Sequence, residues 1–203
     1  MKNGLITNTI YNLLPKRTIK YVMNFKTRES IYVQKWLKKS YDEVRHLLEP
    51  IIIENKLISN TSEDKTAINC LRWVKKNVKY ISDYTQYKTS EYWATPEETL
   101  ISEVGDCEDG AVLLFCLMRA CGISHKQVFV QAGNVVGGGH AYVKYISKTY
   151  PYVVYYLDWC YWYDSTIIRQ RKPFVEKKGK IMYPIPSTYQ TIWFFSNDID
   201  SFK

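Results

Sequence analysis

Three side chains in the second half of the sequence, Cys107, His140 and Asp158, could together perform nucleophilic chemistry. A cysteine attacks a carbonyl carbon as its thiolate, so it needs a neighbouring base that takes or shares the thiol proton. The base in turn needs an acceptor that orients it. Of the three histidines in the chain, His140 is the one with a motif around it, since three glycines directly precede it. These residue types predict a thiol site assembled from distant parts of the chain.

The acid of this group follows an apolar run at residues 152–157 that is typical of a buried strand. A carboxylate at the end of a buried strand is costly unless a partner satisfies it. His140 begins the preceding predicted strand, and the glycines before it let the main chain approach another element closely. We therefore expect His140 to be the partner of Asp158.

The cysteine stands at the start of a predicted helix. Residues 111–121 are almost wholly apolar, and Gly122 is a natural C-terminal cap. A helix that is apolar on every side is buried, which predicts the central helix of a domain. The unpaired N–H groups and the dipole at its N-terminus stabilise a thiolate at Cys107. The neighbouring acids oppose that effect if they point at the sulfur, so the sequence leaves the pKa of the thiol open.

The remaining elements divide into helices before this helix and strands after it. Residues 29–48 predict one or two helices ended by Pro50, residues 61–64 begin another, and Thr95 caps a short one. Residues 51–58 suit either a helix or a strand. Polar segments at 82–91 and 169–188 are predicted as loops. Runs rich in β-branched and aromatic residues predict strands at 127–132, 140–146, 152–157, 159–163 and 190–195. This order predicts an α+β domain with an antiparallel sheet.

Charge and cysteine content restrict the class of protein. The net charge is +8, and residues 1–45 hold ten Lys and Arg against three acids. This basic segment could contact an anionic partner, or it could be a solvated face. Five cysteines without a C-x-x-C pair indicate neither a disulfide framework nor a structural zinc site. No signal peptide or membrane span is visible, so we expect a cytoplasmic protein without membrane contacts, with virion association left open.

Four blocks of the sequence together resemble the transglutaminase-like superfamily, and in particular its bacterial and phage-type cysteine peptidase branch. The cysteine precedes the histidine by 33 residues, and the histidine precedes the aspartate by 18. These separations make the combination specific, although each block alone is weak. The likeness covers roughly residues 65–165. The blocks are Asp83 with Tyr92-Trp93-x-x-Pro96-x-Glu98-Thr99, Gly105-Asp106-Cys107-Glu108-Asp109-x-Ala111, Gly138-Gly139-His140-Ala141-x-Val143 and Leu157-Asp158.

The resemblance implies a papain-like fold, in which a central helix carrying the cysteine packs against an antiparallel sheet that carries His and Asp. It makes Cys107 the nucleophile, His140 the general acid and base, and Asp158 the residue that orients the imidazole. Trp93 matches an aromatic residue that lines the site, and whose indole N–H helps to hold the oxyanion in some members. Asp164, in a W-x-x-D-x-T pattern, competes with Asp158 for the role of the acid.

Some relatives in this branch bind calcium through acids beside the cysteine, which here correspond to Asp106 and Glu108. Carboxylates alternating at a turn are suitable oxygen ligands, although acids at a helix start are equally explained by capping and the dipole. The chemistry itself requires no cofactor.

We therefore expect a thiol-dependent hydrolase or acyltransferase, above all a cysteine peptidase acting on protein or peptide amide bonds through a thioester. Its catalytic domain would span residues 51–203, after a basic and partly helical extension at 1–50. The main alternative is a catalytically silent structural or binding protein, for instance a phage particle component, that uses the same fold and the basic arm. Deglycosylation or acetyl transfer is less favoured, because the zinc-binding cysteines of such relatives are not visible.

Overall fold

The computed structural model describes residues 30–135, 138–150, 153–160, 175–177, 180–181 and 189–202 of the chain. The helices of this part are α1 (Ser30–Glu54), α2 (Glu63–Asn77), α3 (Asp83–Tyr87), α4 (Pro96–Ser102) and α5 (Cys107–Ala120). The strands are β1 (Lys79–Tyr80), β2 (Val104–Gly105), β3 (Val128–Val135), β4 (Gly138–Ile146), β5 (Val154–Leu157), β6 (Val175–Lys177), β7 (Lys180–Ile181), β8 (Tyr189–Ser196) and β9 (Ser201–Phe202).

Helix α1 is longer than the sequence predicts, because it continues through Pro50 to Glu54. Proline removes a helical hydrogen bond, but the buried face of α1 extends beyond it to Ile51 and Ile52, which are 1% and 7% exposed. Packing of this apolar stripe outweighs the local cost. The prediction that Pro50 ends the helix is therefore wrong, and the first part of the undecided segment 51–58 is helical.

The domain boundary that we placed at residue 50 consequently falls inside a helix. Residues on both sides of it, such as Leu37 and Ile51, belong to one buried core that also contains the central helix. Residues 1–29 lie outside the described part. We propose that the catalytic domain extends back at least to Ser30, which shortens the basic extension to residues 1–29.

A sheet of seven strands in the order β7-β6-β5-β4-β3-β8-β9 has antiparallel pairing throughout. Helix α5 packs on β3 and β4 at the centre of this sheet. Its residues from Ala111 to Met118 are all completely buried, and Gly122 follows it with a φ of +88°, which favours glycine. The predicted α+β fold, with a buried central helix against an antiparallel sheet, is confirmed.

Two predicted loops contain regular structure. Helix α3 lies within segment 82–91, and strands β6 and β7 lie within segment 169–188. The strand expected at 159–163 is a turn at 159–160, and its remaining residues lie outside the described part. In the part of the chain that the structure covers, no helix is long and apolar enough to cross a bilayer.

Candidate active site

The start of the central helix is fixed by its own acids. Asp106 is the N-cap residue of α5, and its backbone N–H donates to Asp109 Oδ2 at 3.1 Å. Asp109 Oδ1 accepts the backbone N–H of Ala94 at 2.7 Å. One buried carboxylate therefore ties the first turn of α5 to the segment that precedes α4. Gly105 allows this contact, because a Cβ there would lie 2.7 Å from Asp109 Cβ.

Cys107 is the first residue of α5, as the sequence predicts, and its side chain is half-buried. The thiol donates a hydrogen bond to Glu108 Oε2 at 3.0 Å. Burial, followed by the adjacent Glu108 carboxylate, raises the pKa of Cys107 well above its ordinary value. In this geometry burial and the neighbouring acid together outweigh the helix dipole and favour the protonated thiol.

His140 and Asp158 meet across two neighbouring strands. Strand β4 carries His140, and Asp158 directly follows β5, whose Leu157 pairs with Val143 of β4. The imidazole Nε2 and Asp158 Oδ2 are 2.8 Å apart, and the two residues are only 5% and 6% exposed. The structure therefore brings together the two residues that the strand pattern pairs. The competing acid, Asp164, lies outside the described residues.

Asp106 and Cys160 link this pair to the helix that carries Cys107. Asp106 offers a carboxylate oxygen within 4.8 Å of Cys107 Sγ, and it lies close enough to His140 for the imidazole charge to favour its ionised form. Cys160 Sγ lies within 4.8 Å of donor atoms of both His140 and Asp158. The charge of Cys160 also raises the pKa of Cys107, so the second sulfur lies near the first.

Trp159 supports the helical turn that carries Cys107, and sequence reasoning missed this contact. The indole Nε1 donates to the carbonyl oxygen of Cys107 at 3.1 Å, and Trp159 is completely buried. Its ring lies directly on Gly110, where a Cβ would be 2.1 Å from the Trp159 Cε2 atom. The available signal was Gly110 in the first turns of a helical sequence, a position where a glycine costs stability and can have a packing reason.

A second group of acids surrounds the helix start. Carboxylate oxygens of Asp83, Asp106 and Asp109 lie within 4.8 Å of one another. Among the described residues, Asp83 Oδ1, Asp106 Oδ1 and Glu108 Oε1 are buried without a hydrogen-bond partner. Burial raises the pKa of Asp83 to about 7, and the charge of Asp106 adds to the effect. Buried, unpartnered carboxylate oxygens fit a divalent cation that prefers oxygen, such as Ca²⁺.

Trp93 is 2% exposed and packs edge-on against Trp36 of α1, with ring centroids 5.6 Å apart. Its indole N–H donates to Glu91 Oε1 at 3.0 Å. The tryptophan is therefore held near the helix start by α1, but its donor is directed to a carboxylate in this structure. Its role towards an oxyanion stays a prediction.

The glycines before His140 have the close contact that their type suggests. A Cβ on Gly139 would lie 2.7 Å from the ring of Trp193 in β8. On the next strand, a Cβ on Gly133 would collide with the carbonyl oxygen of Thr191 at 1.9 Å. Residues 136–137 of this segment lie outside the described part. The small residues let β8 lie tightly along the edge of the site.

Comparison with solved structures identifies a similar fold. LapG of Legionella pneumophila matches with a TM-score of 0.53 at 14% identity, over 97% of this chain and 84% of that chain. Its EGTA-treated form matches with a TM-score of 0.52 at 14% identity, over 97% and 82% of the two chains. Its calcium-bound form gives a TM-score of 0.46 at 16% identity, over 76% and 86%. No curated protein sequence matches the chain.

The family match covers the part of the chain that contains Cys107 and His140 and that ends directly before Asp158. The profile of the transglutaminase-like superfamily matches residues 53–157, just over half of the chain. This range begins within α1, includes α5 and β4, and ends at the residue before Asp158. With its central helix, antiparallel sheet and family match, the chain belongs to the transglutaminase-like superfamily.

Proposed function

We propose that the protein is a thiol-dependent hydrolase or acyltransferase, and in the first place a cysteine peptidase that acts on protein amide bonds. Cys107 is the nucleophile, His140 the general acid and base, and Asp158 the orienting acid. One observation carries this proposal: the buried His140–Asp158 contact at 2.8 Å, beside a helix whose first residue is a cysteine. Structural support for an amide-bond reaction comes from the residue types and their placement.

The proposed reaction moves one proton between sulfur, imidazole and the leaving amine. The Cys107 thiol gives its proton to His140, and the sulfur forms a bond with the carbonyl carbon. His140 then returns the proton to the departing nitrogen as the C–N bond breaks, which leaves a thioester. Asp158 stabilises the imidazolium and holds the ring in place. Water or an amine attacks the thioester carbon and loses its proton to His140. The C–S bond then breaks, the acyl group leaves as an acid or a new amide, and His140 returns the proton to the sulfur of Cys107.

Calcium is a proposed activator, held by Asp106 and Glu108 with Asp83 nearby. The unpartnered oxygens of these acids fit the ion, and burial raises the pKa of each carboxyl. When bound, calcium would supply positive charge that neutralises these acids. Glu108 would then cease to hold the Cys107 proton by its negative charge, and the thiol would ionise at lower pH. The chain's own residues perform every step of the amide chemistry.

The test uses a mixture of peptides from a protein digest, because the substrate is unknown. Wild-type, Cys107→Ala and His140→Ala chains are incubated with the mixture, calcium and a thiol reductant. Mass spectrometry then identifies new termini, deamidated glutamines or crosslinks. We expect products from the wild type alone. Products that form equally with Cys107→Ala would contradict the proposed nucleophile.

A second candidate is a catalytically silent binding protein with the same fold. The hydrogen bond from the Cys107 thiol to Glu108 favours it, since it stabilises the protonated and unreactive form. The basic segment offers little support in its described part, because Lys38 and Lys39 form ion pairs with Asp42 and Glu43 on the same helix. This candidate predicts salt-sensitive binding of an anionic partner, such as nucleic acid in a phage particle. Such binding would be lost on deletion of residues 1–29 and unchanged by Cys107→Ala.

A further inference from the structure

A second set of donor atoms includes the His140–Asp158 contact and the nearby thiol of Cys160. A ring nitrogen of His140, a carboxylate oxygen of Asp158 and the sulfur of Cys160 all lie within 4.8 Å of one another. All three residues are buried, with exposures of 5%, 6% and 8%. Nitrogen, oxygen and sulfur at this separation are the donor types of zinc sites, in which ligands lie about 2.0–2.3 Å from the metal.

Cys160 is held in this position by contacts on both sides of its backbone. Its N–H donates to Asp158 Oδ1 at 3.2 Å, which directs the other carboxylate oxygen to His140. Its carbonyl oxygen accepts Lys75 Nζ of α2 at 3.2 Å. Because Asp158 and Cys160 are two residues apart, the carboxylate and the thiol both lie within 4.8 Å of the same imidazole, that of His140. A preformed arrangement of this kind reduces the ordering cost of binding a metal ion.

We propose that His140, Asp158 and Cys160 form an inhibitory site for Zn²⁺ or a similar thiophilic divalent cation. The three side chains supply a neutral nitrogen, an anionic oxygen and a thiolate, and a fourth position stays open for water. Binding releases the Cys160 proton, while the ring proton of His140 moves to the nitrogen that does not bind the metal. The inhibitory consequence rests on the proposed function, because an imidazole bound to zinc cannot accept the proton of Cys107. The binding site itself does not depend on catalysis.

The donors around Cys107 form a competing site of different character. Asp106, Cys107 and Glu108 also present donor atoms within 4.8 Å of one another, but two of the three are carboxylates and none is an imidazole. Oxygen-rich sets suit calcium, whereas imidazole and thiolate favour zinc over calcium. The two sites can therefore be separated by the choice of cation and by which cysteine is removed.

The experiment uses Co²⁺ as a spectroscopic probe for zinc, with the full-length chain freed of metal. A cobalt–thiolate site gives a charge-transfer absorption in the near ultraviolet, which zinc then removes by displacement. We expect this absorption in wild type and in Cys107→Ala, and its loss in Cys160→Ala, Cys160→Ser and His140→Ala. Circular dichroism confirms that each variant is folded. Direct zinc titration against a chromophoric chelator should show affinity reduced by about tenfold or more in Cys160→Ser.

Three results would overturn the site: no cobalt–thiolate absorption in folded wild type, loss of the absorption in Cys107→Ala, or its retention in Cys160→Ala. The inhibitory role is tested apart from binding. Zinc should prevent the wild-type chain from forming peptide products at concentrations at which the Cys160→Ser chain still forms them. If wild type yields no products at all while the cobalt absorption follows Cys160, the proposed function fails and the metal site stands. If zinc inhibits both chains equally, the inhibitory role is wrong.

Discussion

Glu108 lies against the Cys107 thiol and adds to the effect of burial on its pKa. The carboxylate accepts the thiol hydrogen at 3.0 Å and, after burial itself, is the largest cause of the raised pKa of Cys107. A cysteine at a helix N-terminus would otherwise be more acidic than a free thiol. Glu108 therefore opposes ionisation of the proposed nucleophile, Cys107.

Replacing Glu108 by Gln should lower the pKa of Cys107. The amide keeps nearly the same shape and removes the negative charge beside the sulfur, so the thiolate becomes easier to form. The rate of alkylation by iodoacetamide against pH, with peptide mass mapping, measures this change. The exposed Glu103→Gln substitution is the matched control and should leave the profile unchanged. An unshifted profile in Glu108→Gln would show that the contact does not govern the thiol.

Asp83 should make the folded protein less stable as the pH rises. Burial raises its pKa from 3.8 to about 7, so the folded chain holds this proton more tightly than the unfolded chain does. The stabilisation is complete below pH of about 4 and is lost as the pH rises through about 7. Urea unfolding across this range should show a shallower decline for Asp83→Asn than for wild type, because asparagine does not ionise. Its side-chain oxygen can still accept the Tyr92 N–H that Asp83 accepts, so the local structure is kept.

The matched control for this prediction is Glu54→Gln, which changes an exposed acid at the end of α1. Its pH dependence should follow the wild type. Equal slopes for Asp83→Asn and wild type would mean that Asp83 does not hold a proton in the folded state near neutral pH.

Among the residues of the site, the His140–Asp158 contact could be predicted from sequence. A carboxylate that closes an apolar strand needs a partner, and the glycines before His140 allow a close approach. The direction of the Glu108 side chain could not be predicted, because it depends on a rotamer. The positions of Asp83 and Cys160 could not be predicted either, since each meets the site only through tertiary packing.

At the scale of elements, the central helix is positioned by its contact with the turn after β5. Trp159 lies flat against Gly110 and donates to the Cys107 carbonyl oxygen at 3.1 Å. This contact joins the helix that carries the thiol to the strand end that carries Asp158. It therefore fixes the distance between the two halves of the proposed triad.

Gly110→Ala should destabilise the protein by about 1–3 kcal/mol, because the added methyl would lie 2.1 Å from the indole ring. Helix propensity alone predicts the opposite sign, a gain of about 0.5–1 kcal/mol. Denaturant unfolding measures the difference. The control is the same substitution in a Trp159→Ala background, where the methyl has space and the loss should disappear. A Gly110→Ala chain that is more stable than wild type would contradict this packing.

The elements themselves were predicted with mixed success. Helix α5, its glycine cap and the capping of α4 by Thr95 follow from local rules, and the structure confirms them. The continuation of α1 through Pro50 could not be derived locally, because it depends on partners for Ile51 and Ile52 elsewhere in the fold.

At the scale of the whole molecule, α1 is part of the domain that carries the site. It packs against α5, β8 and β9, and its Trp36 contacts Trp93. The composition of the N-terminal region indicates a basic extension. The basic residues of α1 lie on the face opposite the apolar stripe, so composition does not indicate that α1 belongs to the core. The sequence predicted the helix but not its membership of the core.

Leu37→Ala should therefore cost about 2–5 kcal/mol of stability, as expected for a buried leucine in a packed core. Leu37 is 0% exposed, whereas Ile53 of the same helix is 67% exposed, so Ile53→Ala serves as the control and should change stability by less than about 0.5 kcal/mol. Chemical denaturation of both variants checks this prediction. Equal small losses would show that α1 is an appendage and would restore a boundary near residue 50.

The most direct test of the central claim is the rate at which iodoacetamide alkylates Cys107 at neutral pH in wild-type and His140→Ala chains, with calcium present. Peptide mass mapping identifies the modified thiol, and the half-buried Cys121 is the internal control. If His140 takes the thiol proton, His140→Ala should slow Cys107 by about tenfold or more, which corresponds to about one pKa unit, and leave Cys121 unchanged. A Cys107 that reacts equally fast in both chains, and no faster than the other cysteines, would contradict an activated Cys–His pair.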